Sequence, residues 1–285
     1  HHPSSSTTEE KIQEFTTYVS QFLTTSPSEH SSLPTSRIPA HLQPVQSIPE
    51  GIVFSATQLA VFHEDPRKYF QRYHLGFFES DYEFIHPIGE ADQLHLLKGK
   101  LVHAVLENGL PQSVADIAFR LDHAFHRYEV FDPKMKSDLE EEITGMLATF
   151  IKSEAAREIF ENPLAKTEIP ITMRLGKDYF TGTLDRVFKN SEGLWEVVDY
   201  KTNKVSASQV ENEGKKYTLQ LEGYGLLLAN LFPEQSEYPV TLYFLHPGAH
   251  YRRVFQPADI EAIREKFLSL IREIRTLYPL GDKIL

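Results

Sequence analysis

The sequence predicts a mixed α/β fold in which a helical first half leads into a mixed β-sheet with helices on both faces. Three observations carry that expectation. From Ser55 to about residue 160 apolar residues recur at helical spacing. From Thr167 to residue 200 they alternate as strands do, with turn residues between the runs. After that, helical and strand-like stretches take turns to the end of the chain. A length of 285 residues is enough to bury a substantial core in one or two domains.

Residues 1–50 are rich in Ser, Thr and Pro and read as an arm or linker with one short helix. Thr7 and Glu10 form a capping pair ahead of Ile12, Phe15, Val19 and Phe22. His1 and His2 have the look of a tag remnant and carry no weight. The compact part is expected at 51–285, divided into a helical part, 51–165, and a sheet core, 166–285. Ser55 caps a helix that runs through Leu59 and Phe62, with Pro66 breaking it or opening another. Residues 92–108 form a helix with Leu94, Leu97, Leu101, Val105 and Leu106 inward, closed by Gly109. Residues 113–128 follow, with Ile117, Phe119, Leu121 and Phe125 inward. Residues 133–160 then bury Leu139, Ile143, Met146, Phe150 and Ile151.

The strands are expected at 168–175, 178–189 and 194–200, with turns at Gly176-Lys177-Asp178 and at 190–193. One continuous helix runs from near Ser208 to Leu231. Two strands, 240–245 and 252–255, precede a last helix that starts after Pro257. That helix buries Ile260, Ile263, Phe267, Leu270, Ile274 and Leu277.

Composition narrows the chemistry. The chain has no cysteine, which excludes disulfides, thiolate zinc sites and cysteine-held iron–sulfur clusters. Any metal must sit on carboxylate, imidazole, carbonyl or water. The net charge of −11 argues against a broad basic nucleic-acid surface, though a bound cation inverts the field locally. No apolar run approaches the roughly 20 residues of a membrane-spanning helix, and the start lacks the pattern of a secretory signal. A cytoplasmic location without a membrane partner is the expectation.

The densest chemistry lies in Gly182-Thr183-Leu184-Asp185-Arg186 and Val197-Val198-Asp199-Tyr200-Lys201-Thr202. Asp185 is a lone carboxylate in an apolar strand, which calls for a metal, an ion pair with Arg186, or a solvated strand end. Asp199 and Lys201 are two apart, so in a strand they share a face and Tyr200 points away. Hairpin pairing would set Asp185 beside Asp199, and two carboxylates that close repel unless a cation lies between them. Lys201 is then placed to hold or deprotonate water, or to steady a phosphate. The plainer alternative is a surface Asp–Lys pair. Glu168 opens the first strand as a further carboxylate or an exposed strand start. His103 and Glu107 share a helix face. Tyr217, Gln220 and Tyr224 share another, suited to phosphates and sugars or simply the polar edge of an amphipathic helix.

Taken in order, these patches resemble the nuclease domain of the RecB and AddA families, within the PD-(D/E)xK superfamily. The resemblance starts at Ser55-Ala56-Thr57-Gln58-Leu59 with Asp65-Pro66-Arg67-Lys68-Tyr69-Phe70. It continues through Gly99 to Glu107, Glu168, the Gly182 and Asp199 patches, and Gln220-Leu221-Glu222-Gly223-Tyr224. It implies a restriction-endonuclease-like fold and a Mg²⁺-dependent deoxyribonuclease, with Mn²⁺ as an alternative ion and no iron–sulfur cluster. His103, Asp185, Asp199 and the Tyr200 carbonyl would ligate the ion, Lys201 would be the catalytic lysine, and Glu168 an additional acidic position. Gln220 and Tyr224, with Tyr217 nearby, would help place DNA. No Gly-x-x-x-x-Gly-Lys-Ser/Thr loop is present, so the chain is not itself a helicase motor. The resemblance implies a motor on the same polypeptide and, as a further partner, a second helicase–nuclease subunit. The implied role is exonuclease action on DNA ends in recombinational repair of double-strand breaks. The alternatives are an inactive nuclease fold that only binds DNA ends or a partner subunit, and a stand-alone exonuclease of this type without a motor.

Overall fold

The computed structural model describes residues 51–75 and 90–278, with side chains from 94 onward in the second stretch. The short helix expected within 1–50 lies outside the described residues. Strand β1 (Val53–Ser55) leads into α1 (Ala56–Glu64) and α2 (Pro66–Tyr73). Ser55 caps α1 in a full capping box with Gln58, and Asp65 caps α2 with Pro66 in its first turn. Four helices follow: α3 (Glu90–Glu107), α4 (Val114–Arg127), α5 (Pro133–Phe150) and α6 (Glu154–Phe160).

The sheet begins with β2 (Lys166–Leu175), β3 (Asp178–Lys189) and β4 (Trp195–Lys201). A short 3₁₀ turn, then α7 (Val210–Lys216) and α8 (Thr218–Leu231), cross to β5 (Tyr238–Phe244). Strand β6 (Ala249–Phe255) and helix α9 (Pro257–Leu277) close the described fold. The strands form one mixed sheet in the order β1-β3-β4-β5-β6, with β2 antiparallel to β3. β1 pairs parallel with the start of β3, and β4 pairs antiparallel with its end. β4 and β5 are parallel, as the intervening helical crossover requires.

Alternation along the strands builds two cores. Val187, Val197, Val240, Leu242 and Phe244 pack on one side with α1, α8 and α9. Phe188, Val198, Tyr200, Tyr243 and Leu245 pack on the other with α3 to α6. The fold is therefore the mixed sheet flanked by helices that the sequence predicts.

Several expectations need correction. Phe119 is 65% exposed and Leu94 40% exposed, because α3 and α4 bury narrower stripes than their apolar content suggests. Leu277 also points outward, on the last turn of α9. The helix expected over 133–160 is broken between Phe150 and Glu154, where Ser153 caps a new start. The single helix expected from Ser208 to Leu231 is likewise two. Gly214 packs flat against the Tyr251 ring, and the chain turns at Tyr217 before α8 begins. β1 is an added strand, too short to show a periodicity.

Candidate active site

The end of the β3–β4 ladder positions the site. Its last paired residues are Arg186 and Val198, so the next positions along each strand are Asp185 and Asp199. Both are buried, at 8% and 2% exposure. The backbone N–H of Tyr200 donates to Asp185 Oδ2 at 3.3 Å, which ties one carboxylate to the other's strand. α3 brings His103 to this seam from one side of the sheet and α8 brings Gln220 and Tyr224 from the other.

His103 Nδ1 lies 3.3 Å from Asp185 Oδ2 and 3.9 Å from Glu168 Oε1. Its Nε2 lies 3.2 Å from the Tyr200 carbonyl. One donor atom each from His103, Glu168 and Asp185 fall within 4.8 Å of one another, close enough to share a cation. Asp199 stands beside this trio but is turned otherwise. Its Oδ1 accepts from Tyr224 Oη at 2.8 Å and Gln220 Nε2 at 3.1 Å. Its Oδ2 has Lys201 Nζ at 2.8 Å, off the angle of a good hydrogen bond, and is otherwise buried without a partner.

Lys201 is held on three sides. Its ammonium meets Asp199, donates to Gln220 Oε1 at 3.1 Å, and sits 4.4 Å from the Tyr217 ring centre. Gln220 thus grips both members of the Asp199–Lys201 pair, one with each end of its amide. Tyr224 is buried and its hydroxyl is taken up by Asp199 and Gln220, so this helix face looks inward to the carboxylate rather than outward to solvent. Tyr217 also contacts Asn203, whose amide donates to the Tyr217 hydroxyl at 3.1 Å and to Glu213 at 3.2 Å. Asn203 escaped the sequence reading; its only signal was its place two residues after Lys201. The Tyr200 ring points away from the site and packs against Phe150 and Phe160.

The electrostatics show a surplus of negative charge. Burial first, and then the Asp199 charge, push the Asp185 carboxyl up to about 7. His103 is pulled down by burial, but Glu168, Asp185 and Asp199 outweigh that and raise it to about 9. The imidazolium thus supplies positive charge that the carboxylates call for. Lys201 is likewise lowered by burial and raised by more through Asp199, so it remains an ammonium. Glu168 adds a backbone signal. Its φ is +48°, in the left-handed region that a non-glycine residue enters only at a cost. Its neighbours Thr167 and Ile169 pair with β3, while Glu168 itself is turned toward His103.

Converging oxygen and imidazole donors, a buried Asp199 oxygen whose one partner is the Lys201 ammonium, and crowded like charges all fit a hard divalent cation. Residues 53–280 match the family model described as the PD-(D/E)XK nuclease superfamily. The chain belongs to that superfamily. Membership in the PD-(D/E)XK superfamily supports a nuclease, that is a hydrolase, and such nucleases generally use divalent metals. No curated protein matches the chain. Among solved structures, a candidate exonuclease from Eubacterium rectale shares 12% identity, covering 87% of this chain and 94% of its own, with a TM-score of 0.51. At that identity the likeness shows the fold alone. SSO0001 shares 13% identity over 85% of this chain and 82% of its own, with a TM-score of 0.32. Rai1 of Scheffersomyces stipitis shares 12% over 81% and 70%, with a TM-score of 0.25. Those two overlaps carry no argument.

Proposed function

We propose that this PD-(D/E)XK domain is a Mg²⁺-dependent DNA exonuclease of the RecB and AddA type. In this reading residues 1–50 tether it to a helicase motor on the same polypeptide, and 51–285 are the nuclease domain. The motor, with or without a second subunit, feeds single strands from broken ends to the site during recombinational repair in the cytoplasm. The observation that carries the reading is the meeting of His103, Glu168 and Asp185 beside the Asp199–Lys201 pair.

His103, Asp185, Asp199 and the Tyr200 carbonyl would hold the ion, with Glu168 as a further carboxylate for it. When bound, the cation supplies Lewis-acid charge at the phosphate's non-bridging oxygens and lowers the pKa of a nearby water. Lys201, kept protonated by Asp199, donates to the scissile phosphate and offsets charge that grows as the P–O bond breaks. Gln220 and Tyr224 fix the Asp199 and Lys201 geometry through the hydrogen bonds described above. Tyr217 and Gln220, both partly buried, are the residues at the start of α8 that would meet the DNA strand.

The test is cleavage of single-stranded DNA in Mg²⁺ by the parent chain, Asp199→Ala and Lys201→Ala. Metal-dependent cutting that both substitutions remove supports the enzyme. DNA binding without cutting, unchanged by either substitution, would replace it with an inactive DNA-end or subunit-binding module.

A further inference from the structure

Beside the site, α3 and α4 enclose a groove of about 410 Å³ lined by Ala104, Asn108, Phe119, Arg120, His123 and Arg127. One end of it is tied to the helix that carries His103. Ala104 is the next residue, and Arg127 Nη1 donates to Glu107 Oε2 at 2.8 Å, one helical turn beyond His103. Glu168 is close enough to act on the Arg127 charge. Phe119, His123 and Arg127 follow one another at four-residue intervals, so they stand in line along one face of α4. The line is about 12 Å long at 1.5 Å per residue.

The floor is fixed. Arg120 pairs with Asp116 and donates to the Val105 and Gly109 carbonyls, pinning α4 to the C-terminal end of α3. The rim is open. Phe119, the most exposed aromatic ring on this helix, meets His123 edge-on at a centroid distance of 4.6 Å. An aromatic face in solvent gains nothing for the fold, but it offers a platform for any base. The Arg127–Glu107 bond is solvent-exposed and so weak enough for a phosphate to compete with it.

We infer that this groove is the track along which single-stranded DNA runs to the metal site, with bases stacked on Phe119 and His123 and a phosphate held by Arg127. The inference rests on the nuclease reading and specifies its substrate path. A single strand suits the groove better than a duplex, because stacking on Phe119 needs an unpaired base face. The chain's net charge of −11 argues against a broad basic surface that would do this work instead.

The test is the affinity of a fluorescent single-stranded oligothymidine, measured with Ca²⁺ in place of Mg²⁺ for the parent, Phe119→Ala, Phe119→Tyr and Arg127→Gln. Phe119→Ala is expected to weaken binding about tenfold and Phe119→Tyr to restore it. Arg127→Gln is expected to weaken binding and lower the slope of log K against log salt by about one. Parent-like affinity in both Phe119→Ala and Arg127→Gln, or no oligothymidine binding by the parent, overturns the track. Failure of the nuclease reading looks different: the parent then fails to cut DNA in Mg²⁺, while Phe119→Ala still lowers its affinity.

Discussion

Buried Asp185 and Asp199 and the partly exposed Glu168 bring three carboxylates to one seam against two cations, Lys201 and His103. This imbalance sets the residue-scale predictions. Folded Asp185 keeps its proton to about 7 instead of 3.8, and folded His103 keeps its proton to about 9 instead of 6.5. The metal-free folded state therefore binds more protons than the unfolded chain, and its stability falls as pH rises through both ranges. The His103 contribution is complete below its unfolded pKa and disappears as pH passes about 9; the Asp185 penalty grows up to about 7. Thermal melts without metal should show Tm dropping from mildly acidic to alkaline pH, and Mg²⁺ should flatten the drop. Asp185→Asn should raise the metal-free Tm at pH 8 by about 2–4 °C while abolishing cutting. A lower Tm in that variant would contradict the crowding. Lys201→Ala should reduce the cutting rate by about 10²–10³, the usual cost of one donor aimed at developing charge, with metal affinity retained. Much of this scale was legible beforehand. Two-residue spacing put Asp199 and Lys201 on one face, and they meet at 2.8 Å. The hold of Gln220 and Tyr224 on one oxygen of Asp199 was not, since side-chain direction across elements leaves no periodic trace.

Elements carry the site to the seam, and two of them do so under constraint. β2 places Glu168 at φ +48°, so glycine should suit that position better than alanine. Glu168→Gly should be more stable than Glu168→Ala by about 1 kcal/mol, although both lack the carboxylate and both should bind metal more weakly. Equal melting temperatures would argue against the left-handed backbone. Farther along, Gly214 lets α7 lie flat on the Tyr251 ring of β6, where a methyl group would overlap the ring atoms. Gly214→Ala should cost about 1–3 kcal/mol in a denaturant titration, because the Tyr251 ring or α7 must move. The strands were readable from alternation, the caps at Ser55 and Gly109 from residue type, and the start of the last helix from Pro257. The helix breaks at 151–153 and at Tyr217 were hidden, since the apolar repeat continues across both. Phe119 misled for a related reason: its spacing matched the buried stripe, while its surroundings left it in solvent.

At the scale of the whole molecule, the site exists only because two helical layers close on one sheet. α3 belongs to the layer that packs on Tyr200 and Tyr243, and α8 to the layer that packs on Val197 and Leu242. His103 and Gln220 thus reach the end of β4 from opposite faces. No helix among the described residues is long and apolar enough to cross a membrane. The order of the short motifs made the architecture legible and, through the resemblance, named His103, Glu168 and Asp185 for one site; spacing alone could not, as they are far apart in the chain. The central claim is that these side chains and Asp199 share one divalent cation. Diffraction from crystals grown with Mn²⁺, recorded at the manganese absorption edge, tests it most directly. The account predicts one anomalous peak at about 2.0–2.2 Å from His103 nitrogen and from Asp185 and Asp199 oxygens, with the Tyr200 carbonyl beside it. Ordered side chains at this seam with no peak among them, or a peak elsewhere alone, would contradict it.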